Sequence, residues 1–475
     1  MLFPTIDFAV FFLVVFLGHW YLNHDRRLWR MFMIAASYVF YAWASWRYVA
    51  LLAGVSAISQ VAARAVARRD DPRRRMQVVA IGVAATIAPL LYFKYYGFFA
   101  LNLTNVADTL SLAWAPPLLD VVLPVGVSFF TFMAISYVVD VYRRDTEVAS
   151  TPDVFLYLAF FPHLVAGPIV RPNELIPQLE RRRDARHVDV ARAMWLIVGG
   201  LFKKVVIANF LATAIVDPVF GDPVGVSALD AIVGLVAYAV QIYADFSGYT
   251  DIAIGLALLL GFKFPQNFDR PYAARSVQDF WRTWHMTLSR WLRDYLYIPL
   301  GGSRKGTVRT YVNLMITMLL GGLWHGAAWH FIVWGGLHGI YLSVGRWKRE
   351  RRARGVLAEP PQTRTVMWGQ RLLTFTLVCI AWAFFRADST ETALTLLGRA
   401  LTAWGEPSEL VTPAVLLAIA VGLSTQFAPR GLGVRLRARL DTLHPVPLGL
   451  VSALVLFAIT TLGPRGVAPF IYFQF

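Results

Sequence analysis

The sequence is poor in charged residues and has almost no cysteine. Only 16% of its 475 residues are charged, and Cys379 is the single cysteine, whereas soluble domains carry about 25% charged residues. One thiol inside an apolar run can form neither an internal disulfide nor a zinc cluster. Lysine is also scarce, with six among the 45 basic residues, the others being arginine. This composition disfavours an ordinary soluble enzyme.

Several common catalytic motifs are missing as well. The chain has no G-x-S-x-G elbow, no P-loop, and no G-x-G-x-x-G in a strand-to-helix context. The usual soluble hydrolase, kinase and dehydrogenase interpretations therefore lack support.

Apolar segments make up most of the chain. The apolar fraction is 57% and the mean hydropathy is +0.53, and segments near the length of about 20 residues that a helix needs to cross a bilayer recur throughout. We predict an all-α polytopic membrane protein with about ten to twelve transmembrane helices in one membrane-embedded domain over residues 1–475. The predicted spans are 4–23, 31–46, 49–67, 76–93, 121–142, 193–216, 229–262, 311–325, 327–344, 366–386, 411–428 and 445–463.

The basic residues behind the formal net charge of +16 are distributed along the chain in a way that is typical of membrane proteins. Basic residues fall in alternate loops between the apolar segments, for example at 68–75 and 346–354, while the intervening loop 217–227 has two aspartates and no Lys or Arg. The positive-inside bias places the basic loops in the cytoplasm. Because the charge forms no single basic stripe, we expect no nucleic-acid partner.

Two segments depart from regular membrane helices. Residues 153–179 are apolar but contain four prolines, so this segment is either a re-entrant wall of an internal cavity or an interfacial loop. Residues 276–297 have apolar side chains every three or four positions and begin with a capping-box pattern at Ser276 and Asp279. We predict an amphipathic helix there, too polar to span, on the cytoplasmic side.

Polar residues within the apolar segments are candidates for function, because ionisable groups are costly at membrane depth. His325 lies in the glycine-rich run LLGGLWHGAAWHFIVWGGLHG, and His285 lies on the predicted amphipathic helix between its apolar and polar faces. Each is either catalytic or a structural histidine bonded to a neighbouring helix. Asp245 and Asp251 are expected to pair with arginines such as Arg282 or Arg293; a proton-relay transporter is the functional alternative.

Several long motifs occur in one order along the chain: LPVGVSFFTFMAISYVVDVYR, FFPHLVAGPIVRPNEL, QIYADFSGYTDIAIG, FPQNFDRPYAARSVQDFWRTWHMTLSRW and LLGGLWHGAAWHFIVWGGLHG. With them the sequence resembles the membrane-bound O-acyltransferase family, in the branch of alginate O-acetylation and teichoic acid D-alanine transfer proteins. The motif-bearing core covers about residues 121–345. The resemblance implies helices around a funnel and tunnel that meet at the active-site histidine, which matches His325, and a second active-site position that matches His285.

The resemblance also implies a reaction. Acetyl groups would pass from cytoplasmic acetyl-CoA across the bacterial inner membrane to a polysaccharide such as alginate or cellulose, with periplasmic acetyl-transfer or esterase-like partner proteins. His325 would be the general base, and His285 would orient His325 or the acceptor, or bind the oxyanion. The CoA phosphates are expected at Arg282, Arg290 and Arg293, with no metal and no permanently bound cofactor. Alternatives are peptidoglycan O-acetylation, D-alanyl transfer to teichoic acid, another acyl transfer, or a proton-coupled transporter.

Overall fold

A computed structural model of the chain describes residues 3–112, 114–119, 121–165, 167–442 and 444–462, and these ranges contain helices and loops but no strand. The all-α class predicted from the sequence is confirmed. The α-helices are α1 (Ile6–Leu22), α2 (Arg26–Ser45), α3 (Val49–Ala67), α4 (Pro72–Leu90), α5 (Tyr96–Thr109), α6 (Val127–Arg143), α7 (Thr151–Ala159), α8 (Phe161–Leu164), α9 (Pro172–Leu179), α10 (Val190–Leu201), α11 (Asn209–Leu211), α12 (Asp217–Gly221), α13 (Ala228–Leu259), α14 (Val277–Thr283), α15 (Met286–Trp291), α16 (Thr307–His325), α17 (Trp329–Ala353), α18 (Arg364–Arg386), α19 (Thr390–Thr402), α20 (Pro413–Phe427), α21 (Arg430–Asp441) and α22 (Pro445–Leu462).

Shorter helical segments join some of these helices. Three are 3₁₀ turns, at Trp46–Tyr48, Ala185–His187 and Pro271–Ala273. Four described segments are π-helical, at Leu91–Tyr95, Phe202–Ala208, Ala212–Val216 and Leu292–Tyr297.

Within the described ranges, five helical runs are long and apolar enough to cross a membrane: Arg26–Ala67, Pro72–Thr109, Val190–Gly221, Ala228–Leu259 and Arg364–Arg386. In its described part, each of the twelve predicted spans overlaps one helix or consecutive helical segments, although residues 121–126 of the fifth span precede α6 and are not helical. The helix α5, however, was not predicted as a separate element. The number of crossings stays a prediction.

The described chain forms two compact units, one running up to Ala193 and including Ala253–Pro265, the other made of Met194–Ile252 and the residues from Gln266 onward. In the first unit α6 is buried along almost its whole length and packs against α3 and α4. The hydroxyl of Tyr137 donates to Oε1 of Gln60 at 2.8 Å, which joins α6 to α3 inside this core. The single domain predicted over residues 1–475 stays a prediction.

The proline-rich segment 153–179 forms three short helices of the first unit, α7 to α9. Two of its four prolines, Pro162 and Pro172, occupy the first turns of α8 and α9, where no intrahelical N–H bond is lost, whereas Pro177 lies inside α9. Phe160, Phe161 and Leu164 are completely buried. Such coverage by protein fits the cavity-wall alternative better than a loop on the surface.

In the second unit α16 and α17 form a tightly packed hairpin. A Cβ atom added to Gly322 would collide with the carbonyl of Phe331, and one added to Gly335 would collide with the carbonyl of Met318. These small residues therefore let the two helices approach closely.

The amphipathic helix predicted over 276–297 is wrong as a continuous element. Ser276 does cap the start of α14, accepting the N–H of Asp279 at 3.1 Å. The helix nevertheless stops at Thr283, Trp284 is extended, and His285 has a left-handed backbone with φ 41° before α15 begins. The apolar spacing of three or four residues continues across this joint, so periodicity alone does not reveal the break.

Candidate functional site

His285 lies at the joint between α14 and α15 and is fully buried. A left-handed backbone in a residue other than glycine costs roughly 1–2 kcal/mol, so surrounding contacts must hold it. Asn267 supplies them: its carbonyl accepts the Met286 N–H at 2.9 Å. Its side-chain Oδ1 accepts the N–H and the hydroxyl of Thr287 at 3.1 and 2.9 Å.

The same Oδ1 atom of Asn267 determines which nitrogen of His285 carries the proton. It lies 3.2 Å from His285 Nδ1, and an amide oxygen is only an acceptor. The neutral ring is therefore protonated at Nδ1 and has its lone pair at Nε2. This Nε2 is buried, and no described residue forms a hydrogen bond with it. Burial lowers the pKa of His285 to about 3, so the ring is neutral at physiological pH.

Aromatic rings surround the His285 imidazole. Its ring centroid lies 4.6 Å from that of Phe246 in an edge-on arrangement, and 6.5 Å from that of Phe268. His285 therefore does not lie between a polar and an apolar helix face, as predicted, but is enclosed in the protein interior.

His325 is the last residue of α16 and is 4% exposed. Its ring packs edge-on against Trp334 and Phe385, with centroid distances of 4.9 and 5.1 Å. The extended Gly326 ends the helix, and a Cβ there would collide with the ring of Phe331. The glycine after His325 is therefore required by packing.

Trp324 connects the two histidines. Its ring centroid lies 6.4 Å from that of His285 and 4.8 Å from that of His325. The structure thus brings His285 and His325, forty residues apart in sequence, next to the same indole ring. We call His285, Trp324 and His325 the histidine cluster.

Three other histidines in apolar segments have identifiable structural partners. Nε2 of His163 donates to the carbonyl of Tyr157 at 2.9 Å, and Nδ1 of His330 donates to the carbonyl of Phe384 at 2.9 Å. Nδ1 of His338 accepts the indole N–H of Trp281 at 3.2 Å. These contacts explain the burial of all three without a catalytic role.

Asp245 and Asp251 pair with lysines, so the expectation that Arg282 or Arg293 neutralises them is wrong. Lys204 lies 2.6 Å from Asp245 and Lys203 lies 2.5 Å from Asp251. Both lysines belong to the π-helical segment Phe202–Ala208, which faces α13. Backbones approach closely there, since a Cβ on Gly200 would lie 2.6 Å from the carbonyl oxygen of Gly248. Both ion pairs therefore join this segment to α13, as a structural role of the aspartates requires.

The three arginines expected to bind CoA phosphates are separated by the structure. Arg282 lines a cavity of about 810 Å³, but Arg290 and Arg293 are not among its lining residues. Arg293 instead pairs with Asp294 at 2.6 Å. We call this space the α14–α17–α18 cavity. Its basic lining residues are Arg275, Arg282, Lys348, Arg349 and Arg352.

The α14–α17–α18 cavity is electropositive. Two carboxylates, of Asp279 and Glu359, line it beside the five basic groups. Burial and the nearby charges of Arg282 and Arg346 lower the pKa of the Arg349 guanidinium, which shows that positive charges crowd together there. An anion would relieve this repulsion. From the sequence alone, Lys348, Arg349 and Arg352 indicate only a basic cytoplasmic segment. Nothing in that segment shows that these side chains line a cavity beside α14.

Comparison with known proteins identifies the family. The model of the MBOAT, membrane-bound O-acyltransferase family, matches residues 86–385. The chain belongs to the membrane-bound O-acyltransferase family. It is therefore an acyltransferase and a membrane protein, as expected from the motifs. The match includes the whole histidine cluster.

The relatives of this chain are named for different acceptors. The probable alginate O-acetylase AlgI of Pseudomonas putida is 37% identical over 513 residues, which covers 100% of both chains. The peptidoglycan O-acetyltransferase of Helicobacter pylori is 36% identical over 84% of this chain and 79% of its own. The teichoic acid D-alanyltransferase of Streptococcus thermophilus is 26% identical over 55% of this chain and 67% of its own. The resemblance to both bacterial branches is confirmed.

Proposed function

We propose that this acyltransferase moves acetyl groups from acetyl-CoA to hydroxyl groups of an extracytoplasmic polysaccharide, acting in the bacterial inner membrane. The observation that carries the proposal is the buried histidine cluster inside the segment that matches the family. Full-length similarity to a probable alginate O-acetylase supports acetyl as the acyl group and an alginate-like or cellulose-like acceptor.

In the proposed reaction His325 is the general base. It takes the proton from an acceptor hydroxyl while the hydroxyl oxygen attacks the thioester carbonyl of acetyl-CoA. Collapse of the tetrahedral intermediate breaks the carbon–sulfur bond, and the leaving thiolate receives the proton from His325. The products are an acetyl ester and free CoA, and the imidazole returns to its neutral form. General base catalysis of this kind contributes about 10²–10⁴-fold.

His285 has a different role in this proposal. With Nδ1 donating to Asn267, the neutral ring can only accept a hydrogen bond at Nε2. It is suited to orienting the acceptor hydroxyl or an N–H of His325. A neutral ring of this tautomer cannot donate from Nε2 to an oxyanion, so the oxyanion role has less support.

Acetyl-CoA is proposed to bind with its phosphates in the α14–α17–α18 cavity. Charge and size support this placement, since the basic lining suits phosphate groups and the volume lies within the range of about 300–1,000 Å³ that small-molecule sites occupy. In this proposal Arg282, Lys348 and Arg349 bind the CoA phosphates. Arg290 and Arg293, which do not line the cavity, do not bind them.

Peptidoglycan is the second candidate acceptor, because the relative from Helicobacter pylori covers most of the chain at nearly the same identity. D-Alanyl transfer has weaker support, since that relative aligns with about half of the chain. A proton-coupled transporter has no support from the family or from the aspartates, which pair with lysines. A periplasmic acetyl-transfer or esterase-like partner that completes the modification remains part of the proposal.

Comparing cell-surface glycans by mass spectrometry, with and without this protein, tests the proposal. Deletion is expected to remove ester-linked acetyl groups, each of about 42 Da, from one secreted polysaccharide. Complementation is expected to restore them. Loss of acetyl from peptidoglycan alone would select the second acceptor. Unchanged acetylation of every surface glycan would refute the proposal.

A further inference from the structure

A second basic cavity in the same unit shares Arg275 with the α14–α17–α18 cavity but has no other lining residue of that cavity. It measures about 720 Å³ and lies between the loop that follows Arg270, the start of α18 and the end of α20. We call it the α18–α20 cavity. We propose that it binds the phosphate group of an anionic phospholipid, whose acyl chains continue along the exposed side of α18.

The lining of the α18–α20 cavity matches an anionic phosphate. It includes three arginines, Arg270, Arg275 and Arg371, and no carboxylate. Asp269 contacts Arg270 from outside the lining at 3.4 Å and offsets part of one positive charge. The cavity therefore has an excess of positive charge in contact with open space.

Two of these arginines are held in place while keeping donors for a ligand. Arg270 donates through one Nη1 to the carbonyl of Ala428 at 3.2 Å, and Arg371 donates through Nε to the carbonyl of Ala273 at 3.3 Å. A guanidinium has five N–H groups. Arg371 uses one of them in its anchoring bond, and Arg270 uses two, because its Nε also donates to Oδ1 of Asp269 at 3.4 Å. Both side chains keep further N–H groups that can donate to phosphate oxygens.

The position of Arg371 along α18 indicates the depth of the cavity in the membrane. α18 is one of the five runs apolar enough to cross, and its residues 372–385 carry no charge, whereas Arg371 and Arg386 stand at the two ends of that stretch. Charged side chains at the ends of an apolar stretch lie at the headgroup level. The cavity is therefore at the height of lipid phosphates.

Aromatic and aliphatic side chains beside the arginines suit the rest of a lipid. Trp368 and Phe427 are 52% and 42% exposed, and the Arg371 guanidinium lies 4.8 Å from the Trp368 ring centroid. Exposed tryptophan is typical of the membrane interface. On the next turn Leu372 is 67% exposed and offers an apolar surface to an acyl chain.

The charge pattern places this cavity on the cytoplasmic side. The basic end of α17, within residues 346–354, precedes α18, and α21, which carries four arginines, follows α20. The positive-inside bias assigns both to the cytoplasm. Anionic lipids of that leaflet attract basic groups near its surface, which selects a phospholipid over a soluble phosphate as the ligand.

Thermal unfolding of the full-length protein in neutral detergent tests the proposal, with phosphatidylglycerol, phosphatidylcholine or inorganic phosphate added. Of the three additives, only phosphatidylglycerol is expected to raise the unfolding temperature of the wild-type protein. In the R270Q/R371Q variant, the concentration of phosphatidylglycerol that gives half of the maximal stabilisation is expected to rise about tenfold or more. K348Q, in the other cavity, is the matched control and should respond like the wild type. Equal stabilisation by phosphatidylcholine, an equal effect of inorganic phosphate, or no stabilisation would overturn the proposal.

A second measurement needs no variant. Photoactivatable phosphatidylglycerol, cross-linked to the wild-type protein and mapped by mass spectrometry, should label peptides that contain Trp368 or Phe427. Excess unlabelled phosphatidylglycerol should compete, whereas phosphatidylcholine should not. Labelling confined to other helices, or equal competition by the two lipids, would reject the site even if the double variant did not fold.

Discussion

His285 and His325 share an indole neighbour but differ in how the protein constrains them. Asn267 fixes the tautomer of His285, because its Oδ1 also receives two bonds from Thr287 and must be an acceptor. His325 ends α16 among Trp324, Trp334 and Phe385. The first ring is thus suited to accept a hydrogen bond, and the second is our candidate for the proton transfer itself.

Replacing His325 by alanine is expected to lower acetyl transfer by about 10²–10⁴-fold, the usual contribution of a general base. The measurement is transfer of label from acetyl-CoA in isolated membranes, normalised to the amount of folded protein. H330Q is the matched control, because His330 is also buried but bonds to the Phe384 carbonyl; it should keep most of the rate. Near-normal transfer by H325A would reject His325 as the base.

Replacing Arg349 by glutamine is expected to raise the KM for acetyl-CoA about tenfold with little change in kcat, because a charge-assisted bond to a phosphate contributes roughly 1.5–3 kcal/mol. R293Q is the control, since Arg293 pairs with Asp294 outside the α14–α17–α18 cavity. Initial rates over a range of acetyl-CoA concentrations separate the two constants. If R293Q had the larger effect on KM, the phosphates would lie elsewhere.

At the level of secondary structure, the joint between α14 and α15 determines where the His285 side chain lies. A continuous helix would have placed His285 on its surface, whereas the left-handed turn at His285 directs the ring into the interior. The hydrogen bonds that Asn267 accepts from Met286 and Thr287 offset the backbone strain. The break is therefore specified by an asparagine 18 residues away.

Two variants at His285 separate its backbone role from its side-chain role. Glycine adopts positive φ without strain, so H285G is expected to be about 1 kcal/mol more stable than H285A, while both lose most of the acetyl transfer. Thermal unfolding in detergent and the labelled transfer assay measure the two effects. Added imidazole is expected to restore part of the activity of H285G. Equal stability of the two variants would contradict the strained joint.

The lysine–aspartate pairs act between elements, joining the π-helical segment Phe202–Ala208 to α13. Lys204 and Asp245 are 2% and 4% exposed, whereas Lys203 and Asp251 are 18% and 29% exposed. Removing one partner of a buried pair costs about 3–5 kcal/mol, and replacing both by apolar residues often costs much less.

K204M is therefore expected to lower thermal stability strongly, and K204M/D245L is expected to recover much of that loss. K203M is expected to lower thermal stability less than K204M does. Unfolding temperatures of the purified proteins decide this. Acetyl transfer by the folded K204M/D245L protein should persist, because the pair is structural in our interpretation. A stable double variant without activity would instead give the pair a function in transfer.

For the whole molecule, the distribution of arginine predicts orientation in the membrane, and Cys379 makes a clean test possible. The only thiol is buried, so cysteines introduced in loops report their own accessibility. On intact cells a membrane-impermeant maleimide should label D222C, in an acidic loop, but not R69C, in a basic one. Permeabilised cells should label both. Labelling of R69C on intact cells would reverse the predicted orientation.

Apolar length and loop charge were sufficient to predict an all-α membrane protein, and the ordered motifs, through their resemblance to a known family, to predict an acyltransferase with His325 and His285 as its candidate site. The helices and their predicted sides depend on composition and on local spacing, because bilayer thickness sets the length of an apolar segment and charge is costly inside the bilayer. The break at His285, the lysine partners of the aspartates and the arginines that share a cavity were not predictable in this way. Each depends on contacts between side chains far apart in sequence, so only the packing of the helices decided which groups meet.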